Sequence, residues 1–314
     1  MAGQATGGGF GRRRSALLLV VPAALLGAGW AWALAAPDPV QFEAPVRGLA
    51  DCAGAAVLGL ALLPRLQGPG SVPAWRPLAV LAGLWAVLEL VLLGCQAAEV
   101  AGVPVARVGA GQFGVYLTRV STGQVGIAIL IGTALIAGYG AVAHRRPERA
   151  AADPVLVFAA VTLTLRPITG HMSQQPFGSL LAAVHALAAA AWFGLLLALA
   201  VVARGRGDWA TLLPRYSRWA LPAAVAVTGT GVCNALVRLG GFTPLLTTGY
   251  GHILLAKTAL LVELLALGWW WRRTWVPRAG AHRIGAENSL RRAVTEVLAM
   301  AVVYGLAATL SVTA

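Results

Sequence analysis

Residues 178–203, GSLLAAVHALAAAAWFGLLLALAVVA, run for 26 positions without an aspartate, glutamate, lysine or arginine. As a helix this run is about 39 Å long at 1.5 Å per residue, more than the roughly 30 Å of hydrocarbon in a bilayer. Its apolar character goes all the way round and is not confined to one stripe, which marks a helix surrounded by lipid or by other helices. Working outward, comparable runs precede it at about 15–36, 47–65, 75–98, 121–143 and 154–171, and follow it at about 216–239, 251–271 and 293–312. Arg166 and Pro167 interrupt the run at 154–171. The reading is an all-α polytopic transmembrane bundle of about nine spans, four in an N-terminal region (1–150) and five in a C-terminal one (151–314).

Composition agrees. Of 314 residues, 58% are hydrophobic and 11% charged, against about 25% charged in soluble domains, which excludes a cytosolic enzyme. The formal charge of +13 suggests nucleic acid only in a soluble chain, and here the basic residues fall between apolar runs. Three cysteines without regular spacing make neither a disulfide framework nor a zinc motif. No glycine-rich phosphate loop stands between a strand and a helix, so a nucleotide partner is not expected. The loops at 99–120 and 272–292 are too short for a soluble domain, so any activity belongs to the bundle, and enzymatic chemistry is not expected.

The basic residues set the orientation. With nine spans, eighteen arginines, among them Arg12–Arg14, Arg65, Arg145, Arg204, Arg215, Arg218, Arg272 and Arg292, share one side. Arg47, Arg107, Arg119, Arg166 and Arg238 take the other, and Lys257 lies within a span. The amino terminus is therefore expected in the cytoplasm and the carboxyl terminus outside. Arg12–Arg14, the apolar run and Ala33-Leu34-Ala35 also have the form of a signal peptide, whose cleavage leaves eight spans.

Ionisable groups inside spans are costly and mark pathways or pairs. Asp51 follows Arg47 by four residues, and Glu296 follows Arg292 by four, so each is expected to pair along one helix face. Glu89, Lys257 and Glu263 have no such local partner and need partners on other helices or a wet cavity. His171, His185 and His252, with Met172, Cys52, Cys95 and Cys233, all fall toward the outer ends of their spans. Imidazole with sulfur donors suits copper better than a hard cation. Trp192, Trp219, Trp269, Trp270, Trp271 and Trp275 are expected mainly as interfacial anchors.

The second half carries an ordered series: Thr169-Gly170-His171, then His185 through Trp192 and Gly194, then Arg215-Tyr216-Ser217-Arg218. It continues with Thr228 through Cys233-Asn234-Ala235, then Thr248-Gly249-Tyr250-Gly251-His252 to Lys257, and Leu290-Arg291-Arg292 to Glu296. This series resembles the copper resistance protein D (CopD) family. The resemblance implies a polytopic inner-membrane protein that moves copper from the periplasmic side toward the cytoplasm, often with a small periplasmic copper-binding partner. It places His171 and His185 at the family's outer-face histidines, while His252 departs from the basic residue expected after Tyr250-Gly251. The expected cargo site is His171 and His185, with Met172 or Cys233 as a third ligand and His252 as a further candidate. A polar path inward is expected near Asn234, Lys257 and Glu263, with Glu89 a further member. Two other readings fit the same residues: a b-type haem held by paired histidines, and a non-transporting membrane partner that docks a copper chaperone.

Overall fold

The structure, a computed structural model, describes residues 15–36, 41–169, 174–239 and 241–313. Among these residues the regular structure is helical throughout. A 3-10 turn (Ser15–Leu19) leads into α1 (Val20–Ala35), followed by α2 (Ala44–Gln67), α3 (Trp75–Ala101), α4 (Ala110–Arg119), α5 (Ser121–Arg145) and α6 (Asp153–Thr169). Then come α7 (Gly178–Val202), α8 (Arg206–Leu239), the short α9 (Thr243–Thr247), α10 (Gly249–Gly280) and α11 (Ala286–Leu310). Eight helices are long and apolar enough to cross a membrane: α1 with its leading turn, α2, α3, α5, α7, α8, α10 and α11. The protein is a multi-span membrane protein.

Contacts between helix ends sort the bundle into two faces. At one, Arg65 near the end of α2 bonds Asp153 at the start of α6 (2.8 Å), Arg215 on α8 donates to the carbonyl of Leu66, and Arg272 on α10 donates to the Ser217 carbonyl on α8 (2.9 Å). At the other, Gln96 near the end of α3 donates to Glu43 just before α2 (3.2 Å). Arg238 at the end of α8 likewise reaches the Thr313 carbonyl beyond α11 (3.1 Å). The first face holds most of the arginines and is called the basic end below.

Helix α6, the weakest of the expected spans, has 17 residues, about 25 Å and at the lower limit for a span. It nevertheless runs from one face to the other. Asp153 lies at the basic end, and the Ile168 carbonyl at its far terminus accepts from Ser179 at the start of α7 (2.8 Å). Helix α6 therefore connects the two faces beside the eight helices long and apolar enough to cross a membrane.

Helix α2 lies at the centre, packed on α7, α3, α11, α6 and α1. Small residues permit this. A Cβ built on Gly59 would overlap the backbone of Gly194 on α7, and one on Gly194 would overlap the carbonyl of Ala55. A second close crossing joins α1 to α11, where Gly27 meets the Val302 carbonyl and Gly305 that of Ala24. Neither crossing survives a side chain at these positions without the helices moving apart.

Several expectations change. The 99–120 segment is not an open loop: it holds a 3-10 turn (Val105–Arg107) and α4, whose Tyr116 is buried and donates to Gln96 (2.8 Å). Most of 272–292 is helical, because α10 continues to Gly280 and α11 begins at Ala286. Charged residues do not stop a helix in water, and the projecting ends of α8, α10 and α11 pack on one another. Trp209 and Trp275 stack with ring centroids 6.0 Å apart, and the Trp275 indole donates to the Ser289 hydroxyl (3.2 Å). Trp275 and Trp192 are thus buried core residues, whereas Trp219, Trp269 and Trp270 are exposed as anchors should be.

Candidate functional site

His185 is the eighth residue of α7, about 10 Å from the helix start and so well inside the bundle at the end opposite the arginines. Its Nδ1 is 2.9 Å from the hydroxyl of Thr230 on α8. That hydroxyl spends its proton within its own helix, donating to the Ala226 carbonyl at 2.6 Å. In the tautomer with its hydrogen on Nδ1 the ring donates to this oxygen and Nε2 keeps its lone pair; the Val227 carbonyl on α8 is a second hydrogen-bond partner of the ring. The ring lies against the α8 backbone at Gly231, where an added Cβ would meet its Cε1 at 3.5 Å, an ordinary contact.

One turn further along α8 is Asn234, which shares a helix face with Thr230. Its Oδ1 is buried with no hydrogen-bond partner among the described residues. Such an atom is uncommon, since buried polar groups are paired in the great majority of cases. Lys257 lies eight residues into α10, at a depth like that of His185 and within electrostatic range of the ring. His185 and Thr230 thus join α7 to α8, with Asn234 one turn on along α8 and Lys257 on the neighbouring α10 at a similar depth.

The other expected site residues are placed differently. His171 and Met172 lie outside the described residues. Cys233 is a free, exposed thiol, turned away from the face that Thr230 and Asn234 share. The Nε2 of His252 is 2.9 Å from the Leu246 carbonyl in the exposed α9–α10 turn. Glu263 is exposed on the flank of α10. Cys52 and Cys95 are buried on α2 and α3. Among the described residues no three or more histidine, cysteine, aspartate or glutamate side chains gather to hold a metal ion.

Glu89 is not part of that cluster. It is buried on α3, and its Oε2 accepts from Nη2 of Arg166 on α6 at 2.7 Å, while Oε1 accepts from the Trp85 indole at 3.1 Å. Arg166 therefore turns into the bundle and does not reach back to the interface, because the buried carboxylate demands a counter-charge. Arg47 pairs with Glu43, four residues before it, and not with Asp51, four residues after it. No ion pair joins Glu296 to Arg292 among the described residues. Glu296 is buried on α11, in electrostatic range of Tyr216 on α8. Among the described residues this buried carboxylate has no ion-pair partner, which the i,i+4 spacing concealed.

Two family descriptions match the chain. "Copper resistance protein D-like, N-terminal domain" matches residues 44–176, and "Copper resistance protein D" matches residues 210–310. The chain belongs to the copper resistance protein D family. Curated relatives include the inner membrane protein YebZ of Escherichia coli K12, 37% identical over 101 residues that cover 31% of this chain and 34% of that protein. The copper transport protein CutJ of Bacillus subtilis 168 is 29% identical over 123 residues, 36% of this chain and 23% of that protein. The matched stretches therefore span about a third and about a quarter of these relatives' lengths. No solved structure gives a significant match. The CopD match takes in Thr230, Asn234 and Lys257, so one wall of the His185 cluster belongs to the family's own segment.

Proposed function

We propose that this CopD-family protein takes copper at the end opposite its arginines and passes it toward the basic, cytoplasmic end, acting as a carrier and not as an enzyme. The observation that carries this reading is the half-buried imidazole of His185, whose Nδ1 stands 2.9 Å from the Thr230 hydroxyl; with the hydrogen on Nδ1, Nε2 offers a lone pair to a metal. Imidazole is a good ligand for copper, and His171 with Met172, fourteen and thirteen residues earlier, would complete a set of few ligands. Few ligands suit transport, where binding must be weak enough to release the ion. Asn234, nearer the outer end, and Lys257 at the depth of His185 form the polar lining. Glu296, buried in the basic half, is the next polar group inward. Glu263 and Cys233, both exposed, stand outside this line.

The positive-inside rule supports the orientation, with the amino terminus in the cytoplasm and the carboxyl terminus outside. A small copper-binding protein outside the membrane would be the natural donor.

The test is total cell-associated copper, measured by elemental analysis in cells expressing wild type, His185→Ala, His171→Ala or the double variant at equal membrane abundance. Import through a histidine site predicts raised copper with wild type and a loss of that rise in each variant. Wild-type cells indistinguishable from empty cells would sink the carrier reading. Lowered copper would reverse its direction.

A further inference from the structure

At the basic end, the last turn of α2 and the first half of α8 leave a cleft of about 460 Å³ lined by Arg65, Leu66, Arg215, Arg218, Trp219 and Pro222. The three guanidinium groups differ in what already occupies them. Arg215 caps α2, donating to the carbonyls of Leu66 and Gln67, two of the acceptors that a helix C-terminus leaves open. Arg65 bonds Asp153, but both side chains are open to solvent, 44% and 75% exposed, and such a pair holds its members weakly. Arg218 is exposed and makes no hydrogen bond or ion pair among the described residues. Three cations facing one carboxylate leave the cleft positive.

Its other wall is apolar and continues into the membrane. Trp219 is 59% exposed, and beyond it Leu221 and Val225 are exposed along α8, the latter about 10 Å deeper than Arg218. A ligand that fills this cleft needs a compact anion at one end and hydrocarbon at the other. Guanidinium groups fit phosphate oxygens in bidentate fashion, and basic pockets between membrane helices at a membrane surface favour anionic headgroups.

We propose that the α2–α8 cleft is a binding site for an anionic phospholipid, its phosphate held by Arg218 and Arg65 beside the fixed Arg215, and its acyl chain lying along Leu221 and Val225. The site is separate from the His185 cluster and does not depend on copper.

The experiment is native mass spectrometry of the full chain in neutral detergent, titrated with phosphatidylglycerol or with phosphatidylcholine of the same acyl chains. Wild type should retain phosphatidylglycerol and release phosphatidylcholine. Arg65→Gln with Arg218→Gln should weaken retention by roughly 30-fold, taking about tenfold per 1.4 kcal/mol and about 1 kcal/mol for each surface arginine. Arg278→Gln with Arg283→Gln, exposed at the same end but outside the cleft, should change nothing. Equal retention of the two lipids, or an equal loss in the control pair, overturns the site. Displacement by soluble glycerol phosphate at matched concentration overturns the lipid and leaves a free phosphate site. If the double variant does not run as a single folded species, Arg218→Gln alone and the wild-type comparison of the two lipids decide the matter.

Discussion

Replacing Thr230 with valine keeps the shape of the side chain and removes the hydroxyl that faces Nδ1 of His185. In the wild-type protein the Thr230 oxygen accepts from Nδ1 at 2.9 Å while its proton goes to Ala226 at 2.6 Å. Without it the imidazole has no partner at Nδ1 from that residue. The ring then either leaves a buried donor unsatisfied or flips its proton to Nε2, where it blocks the metal. A lost hydrogen bond costs about 0.5–1.5 kcal/mol, and an unsatisfied buried donor about 1–3 kcal/mol. Because His185 is only half-buried, the lower part of the second range applies. The weakening expected is about tenfold, at the low end of the roughly 10–100-fold seen when partners of ligating histidines are removed. The assay is competition for Cu(I) between the purified protein and a chromophoric chelator. Thr230→Ser, which keeps the hydroxyl, should bind as wild type does, and His185→Ala should lose the site. Thr230→Val binding as tightly as wild type, while His185→Ala does not, would refute the tautomer argument.

The remaining predictions concern stability, read from thermal unfolding of the purified protein in detergent. Glu89→Gln strands the Arg166 guanidinium in the bundle and should cost about 3–5 kcal/mol, much of which is regained when Arg166→Gln is added; strictly additive costs would mean that the two residues do not interact. Gly194→Val forces a side chain into the Ala55 carbonyl across the α2–α7 crossing and should cost about 3 kcal/mol, the upper part of the overpacking range. Gly138→Val on α5, where an added Cβ meets nothing within 4 Å, is the matched control, and equal losses at the two sites would discount the crossing.

The spans are legible in the sequence because lipid imposes one rule on every residue of a segment: the backbone must satisfy itself and the side chains must be apolar. Residues 178–203 therefore announce α7 without any knowledge of its neighbours. Where a helix leaves the lipid that rule lapses, so the sequence places the start of α8 near 216 although the helix begins at Arg206. The same limit explains Trp275, which is apolar and near a span end like any anchor, yet is buried against Trp209 by a neighbouring helix.

Pairings were legible only when local, and even then ambiguously. Arg47 has a carboxylate four residues before it and another four residues after it, both on its own face of α2, and the chain reads equally well either way. The partner of Glu89 lies 77 residues away on another helix, at a separation that no periodicity reports. Glu296 and Arg292 satisfy the spacing rule, but α11 turns one into the bundle and leaves the other more open to its surroundings. His185 is the reverse case. Its depth follows from counting residues along α7, while the residue that completes its chemistry, Thr230, lies 45 positions on.

What separates a structural polar group from a functional one in this bundle is the capacity it has left. Both oxygens of Glu89 are taken, by Arg166 and by the Trp85 indole, so a passing cation would have to break a buried ion pair to gain a ligand there. That makes Glu89 a tie between α3 and α6 and weakens the expectation that it lines a path. The groups around His185 are the opposite: a ring nitrogen with a free lone pair, and an asparagine oxygen buried without a donor. Leaving such atoms unmet costs about 1–3 kcal/mol for each buried group, a cost that a transient ligand would offset. On the proposed carrier reading, a soft cation passing between Asn234 and His185 would meet both, and would leave again because neither ligand set is closed.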